Sequence, residues 1–273
     1  MGFFANIFGY LLNFLYELVK NYGLAIILFS VIVKLLMLPI SIKQQKTMKK
    51  TTKLQGKLKE IQFKYKNDPE GMNRETLELY RTEKMNPFSG CFSAIVQIVL
   101  LLSIFYLVRS PLTYMKKIDV DTINNYKEQI QTSEENKKSV YEEIEIIKQF
   151  GSQDENININ MNFLGIDLSQ IPTENLTDYR TFIIPILYVI SSFISIKLTS
   201  KMQENKTSGE KKDEEDPMLQ ANKSMTYMMP IMAISIAVVA PLGLALYWLV
   251  NNILMIVERL ILNKVMDREE TNE

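Results

Sequence analysis

Lys34 poses the chemical question. It sits in FSVIVKLLMLP, residues 29–39, a run otherwise suited to lipid. A charge near the centre of a span costs about 3 kcal/mol or more, and such a group usually faces protein or a wet cavity. Ser30 lies four residues earlier, on the same helical face. Other polar groups interrupt later apolar runs: Gln97, then Ser191 and Ser192, then Tyr247, Trp248, Asn251 and Asn252. One shared wet cavity would satisfy them together. Each also has a plainer reading. Lys34 can snorkel along its stem to an interface. Gln97 can bridge two helices, and Trp248 can belong to an interfacial belt. Glu258 is the one acidic candidate partner for Lys34. It stands about 15 residues beyond the APLG at 240–243, roughly 23 Å along a helix. A direct pair with a mid-span Lys34 is therefore not expected, and an unpaired cation would attract an anionic visitor.

Composition narrows the chemistry. The 273 residues are 47% apolar and carry 31 basic and 31 acidic side chains. There is no His, which removes Ser-His-Asp catalysis, HExxH zinc sites and histidine proton relays. The single Cys, Cys91, allows no internal disulfide and reads as a small buried residue. No phosphate-cradling glycine loop is present. The first twenty residues fit neither a cleaved signal peptide nor, with Asn6, a myristoylation site.

These groups need membrane helices to position them. Residues 1–22 read as an interfacial amphipathic helix, with Asn6, Asn13, Glu17 and Lys20 on one face and Phe4, Phe8, Leu11, Leu15 and Leu18 on the other. Five spans follow, at 23–43, 87–109, 181–198, 225–240 and 241–263. The last two form one apolar stretch that Pro241 and Gly243 divide. The fold expected is all-α, with five transmembrane helices around a hydrophilic groove. Met228, Met229 and Met232 are either ordinary packing or an adaptable apolar surface.

Charge orients the chain. Residues 43–86 hold 12 Lys/Arg against 6 Asp/Glu, and residues 111–179 hold 6 against 13. The positive-inside rule puts the first loop in the cytoplasm, so the N-terminus is expected outside and the C-terminus inside. Segment 44–86 reads as a cytoplasmic helical hairpin. Leu54, Leu58, Ile61 and Tyr65 share a face of its first helix, and Asp68-Pro69 opens the second. It is either a solvated charged hairpin or a dock for anionic headgroups, RNA or a protein. Segment 110–180 reads as an outer loop with a helical excursion, carried by Ile123, Tyr126, Ile130, Val140, Ile144 and Ile147. Residues 199–224 read as a flexible cytoplasmic loop, and 264–273 as a short, non-basic tail.

Four stretches resemble the YidC family of membrane protein insertases, in that family's order: NYGLAIILFSVIVKLLMLPISIKQ, KYKNDPEGMNRETLELYRTEKMNPFSGCFSAIVQ, NFLGIDLSQ and MMPIMAISIAVVAPLGLALYWLVNN. The compact outer loop is similar to the Gram-positive type, which lacks a large extracytoplasmic domain. The family usually has arginine at Lys34 and often proline at Ser93, and the acidic segment 115–157 is longer than the usual linker.

The resemblance implies a multi-pass protein of the bacterial cell membrane that is no enzyme and needs no cofactor or metal. It implies insertion and chaperoning of nascent membrane proteins, with the ribosome, the Sec translocon and the signal recognition particle receptor as partners and no DNA. The groove would open to the cytoplasm and to lipid, lined by Lys34, Ser30, Gln97, Tyr247, Trp248 and Asn251. An acidic substrate end would meet Lys34 while its apolar segment slides into lipid. The competing functions are a small-anion transporter, which predicts internal repeats that the sequence does not display, and a structural subunit of a membrane complex.

Overall fold

The computed structural model describes residues 2–83, 89–133, 140–204 and 235–272. Asn86-Pro87, most of the 199–224 loop, most of the expected span 225–240 and Met228, Met229 and Met232 lie outside the described residues. So does the expected helix interruption at 132–137, apart from its first two residues. The described chain is mostly helical. Helix α1 is Gly2–Val19, α2 Tyr22–Lys53, α3 Gln55–Lys64, α4 Pro69–Thr82 and α5 Ser89–Arg109. A π-helical turn, Leu112–Lys116, leads into α6, Val120–Ser133, and α7, Glu142–Phe150. A two-stranded antiparallel hairpin pairs Asn162–Phe163 (β1) with Ile166–Asp167 (β2). Helix α8, Ile183–Glu204, and α9, Leu242–Asn272, complete the chain.

Among the described residues, four segments are long and apolar enough to cross a membrane: Gly2–Val19, Tyr22–Thr47, Tyr179–Ser200 and Leu242–Val265. Ile98–Arg109 on α5 is a shorter apolar helix. Length and composition alone put α1 among the four, and these do not distinguish a span from the interfacial helix expected over residues 1–22. Its faces also differ from the two expected stripes. Ala5, Gly9, Leu12, Leu15 and Tyr16 are buried, whereas Phe3, Ile7, Tyr10, Phe14 and Leu18 are exposed. The polar residues are enlisted by the loop after α5. Lys117 donates to Asn6 Oδ1 at 2.7 Å, and the Lys116 ammonium stands 3.2 Å from the Glu17 carboxylate. Gly9 permits this close approach, since a Cβ there would stand 1.8 Å from the Tyr114 carbonyl oxygen.

Helix α2 runs unbroken through Pro39 to Lys53. The first span and the first arm of the basic segment are therefore nearly one helix, where two were expected. Asp68 caps α4, its carboxylate accepting from the Gly71 N–H at 3.0 Å, with Pro69 at the first helical position. Helices α3 and α4 pack on each other, and the Lys57 ammonium meets the Glu83 carboxylate at 2.7 Å.

Segment 157–171 ties the opposite, loop end together. Asn160 accepts the Tyr22 N–H at 2.9 Å through its carbonyl and donates to the Lys20 carbonyl through its side chain. Asn21 caps α2, accepting from the Leu24 N–H. The carbonyls of Gln170 and Leu168 accept the first N–H groups of α9, from Leu242 and Gly243, each at 2.9 Å. Helix α9 begins at Leu242, just past the Ala240-Pro241 break. Orphan helix-start donors are thus satisfied by loop backbone. The core lies here: Tyr22, Ile26, Phe29, Ile104, Leu107, Leu112, Ile144, Ile146, Ile157 and Leu168 are fully or almost fully buried. Consequently α2 and α9 both start at this layer and run side by side toward the α3–α4 end.

Candidate functional site

That shared starting layer sets the heights of the polar groups. Lys34 is 12 residues beyond Tyr22, about 18 Å along α2. Glu258 is 16 residues beyond Leu242, about 24 Å along α9. The gap of about 6 Å is within side-chain reach. Helical Cα–Cβ bonds tilt toward the N-terminus, so Glu258 leans back toward the loop end. The four-carbon stem of Lys34 covers the remainder. The ammonium meets the Glu258 carboxylate at 2.5 Å.

This overturns the expectation of an unpaired cation. Estimating separation from backbone height alone omitted the stems and the Cβ tilt. The Lys34 side chain retains 20% exposure and that of Glu258 only 9%. The pairing is one-sided on the carboxylate. Oε2 takes the ammonium, while Oε1 is buried and receives no hydrogen bond from the described residues. A half-satisfied buried carboxylate is an expensive arrangement.

The other expected site residues fall into separate groups. Ser30 is buried at 3% exposure and donates to the Ile26 carbonyl of its own helix at 2.7 Å. It closes a turn of α2, and that bond draws on no wet surface. Gln97 is on α5, and its side chain lies outside the described set. Tyr247 is buried against the core. Trp248 is half-buried and tilts over Tyr188 of α8, with centroids 6.1 Å apart. Asn251 is half-buried. Its neighbour Asn252 makes the defined polar contact, donating to Ser191 Oγ at 3.0 Å and Ser192 Oγ at 3.1 Å. These bonds join α9 to α8.

One further residue was not singled out by the sequence. Arg259 is half-buried and donates to Thr199 Oγ1 on α8. The signal was available: Glu258 and Arg259 are the charged residues of the run 242–262. Together with Asn252 and Ser191, these contacts make α9 the hub of the polar interior. One face addresses Lys34 on α2 and another the hydroxyls of α8.

The family model for the 60Kd inner membrane protein matches residues 14–270. The chain belongs to the 60Kd inner membrane protein family, which includes YidC. It is 27% identical over 270 residues to the membrane protein insertase YidC of Treponema denticola, covering 98% of this chain and 39% of that relative. To the insertase YidC of Fusobacterium nucleatum it is 27% identical over 256 residues, covering 94% of this chain and 93% of that one. Over 110 residues it is 39% identical to the YidC of Caldanaerobacter subterraneus, or 40% of this chain and 53% of the relative. The chain thus spans well under half of the Treponema relative and nearly all of the Fusobacterium one. Family membership and several apolar helices make it a multi-pass bacterial membrane protein.

Proposed function

We propose that the chain is a membrane protein insertase, receiving nascent hydrophobic segments and passing them into the bilayer with a chaperoning role. The observation that carries this reading is the buried Lys34–Glu258 pair between α2 and α9, set in a family whose named relatives are insertases. Charges are kept in spans where they serve a pathway or a polar visitor. In this reading the partly exposed Lys34 faces a hydrophilic groove that opens to the cytoplasm and sideways to lipid. The α3–α4 hairpin, with its basic neighbours on α2, receives the segment at the cytoplasmic side. The N-terminus then lies outside and the C-terminus inside. The ribosome, the Sec translocon and the signal recognition particle receptor are the partners this role calls for.

The driving force is burial of about 20 apolar residues in lipid, at about 25 cal/mol per Å² of apolar surface. The polar groups lower the barrier for the substrate's polar end, and no covalent step is required. The structural-subunit reading loses its premise, because Lys34 finds its carboxylate within its own chain. Purified protein in liposomes tests the proposal. Insertion of a single-span substrate into these vesicles, above protein-free vesicles, is the expected result. Solute uptake without insertion would instead identify a transporter, and neither activity would refute both.

A further inference from the structure

The Lys34–Glu258 pair is neutral as a unit, so it does not attract acidic segments in the manner of a bare ammonium. Three features of its geometry bear on how an acid could still engage it. The ammonium remains one-fifth exposed while its partner is nine-tenths buried, so a visitor reaches the cation first. An ammonium carries three donors, and a single carboxylate oxygen occupies one of them. Glu258 is held weakly for a buried carboxylate, since Oε1 has no donor among the described residues. A second cation is at hand on the same helix. Arg259 lies within electrostatic range of Glu258 and is anchored to α8 through Thr199.

We propose that Glu258 is a resident counter-ion that an acidic side chain of the entering polypeptide must displace from Lys34. Displacement releases Glu258 on its own face of α9, where the Arg259 charge at the next position lowers the cost of the freed anion through space, without a direct pair. Glu258 then sets how acidic an entering segment must be. Neutral ends pass without engaging the pair, weakly acidic ends compete poorly with the resident carboxylate, and ends with several acids compete well. The inference rests on the insertase reading and adds a specificity-determining residue to it.

The experiment uses the full chain in liposomes and single-span substrates whose N-terminal ends carry zero, one or three Asp. Glu258→Gln keeps an amide oxygen for the ammonium but removes the competing charge. The insertion ratio of the one-Asp to the zero-Asp substrate is expected to rise at least threefold. Glu258→Asp, one methylene shorter, is expected to shift the ratio in the same direction by less. Wild-type ratios in both variants, with thermal unfolding showing both folded, would overturn the proposal. So would failure of both to fold, which would make the pair a structural brace. If wild-type protein inserts none of the substrates, the insertase reading fails instead.

Discussion

The closest approach at any described glycine predicts the outcome of adding one methyl group. A Cβ on Gly9 would stand 1.8 Å from the Tyr114 carbonyl oxygen and 2.6 Å from its carbon. Ordinary contact needs more than 3 Å, so α1 and the Leu112–Lys116 turn would have to separate by more than 1 Å. The obstacle is backbone, which cannot rotate aside. Neighbouring Leu112 and Met115 are fully buried, so the turn is wedged from behind. Overpacking of this kind costs about 1–3 kcal/mol, and backbone obstruction puts Gly9→Ala at the upper end. Gly2→Ala is the internal control, because its Cβ would meet the Tyr114 hydroxyl at an ordinary 3.7 Å. Thermal unfolding in nanodiscs, followed by Trp248 fluorescence, should show a clear loss for Gly9→Ala and none for Gly2→Ala. Equal midpoints for wild type and Gly9→Ala would mean that α1 does not sit against Tyr114, and the account of how the loop holds α1 would fall.

Other perturbations have defined outcomes. Asn252→Leu removes the two bonds to Ser191 and Ser192 and should destabilise the α8–α9 contact by about 0.6–1.7 kcal/mol, read from the same unfolding midpoints. Asp68→Ala should cost about 1 kcal/mol at the start of α4, seen as faster hydrogen exchange at Gly71 and Met72 with the spans unaffected. Lys34→Arg keeps a cation opposite Glu258 and should preserve liposome insertion, whereas Lys34→Glu would set two carboxylates face to face and should impair both folding and insertion. Glu143 is buried beneath Thr113, which donates to it through its N–H at 3.0 Å and its hydroxyl at 2.6 Å. Burial pushes its carboxyl above the ordinary 4.5, only partly opposed by the Thr113 bonds and the Lys127 charge. A raised carboxyl favours the folded state when protonated, so this contribution is complete below about pH 4.5 and declines as pH rises through the elevated value. Exchange of the Thr113 amide should quicken over that rise, and Glu143→Gln should flatten the dependence.

Much of the architecture was legible along the chain because lipid and charge act through local composition. The apolar runs containing Lys34, Ser191 and Asn252 mark helices by length alone, and Pro241 ends one helix where the next begins. Asp68-Pro69 is a capping signal complete within four residues. The buried positions Ile123, Ile144 and Ile147 followed from helical spacing in the outer loop. The buried face of α1 did not. Its polar residues pair with Lys116 and Lys117, about a hundred positions away, and no periodicity within 18 residues encodes that. Nor did spacing reveal that α2 continues past the expected end of the first span at residue 43 to Lys53.

By itself the sequence determined that charged groups would sit inside membrane helices, and it named Lys34 as the chief one. Which groups meet was decided by tertiary structure. Segment 157–171 brings the starts of α2 and α9 to one layer, and side-chain stems then close the last few ångströms between Lys34 and Glu258. Helix identity depends on neighbours a turn away, whereas an ion pair between residues 34 and 258 depends on how the intervening chain registers two helices. Only that register turned a lone cation into half of a pair.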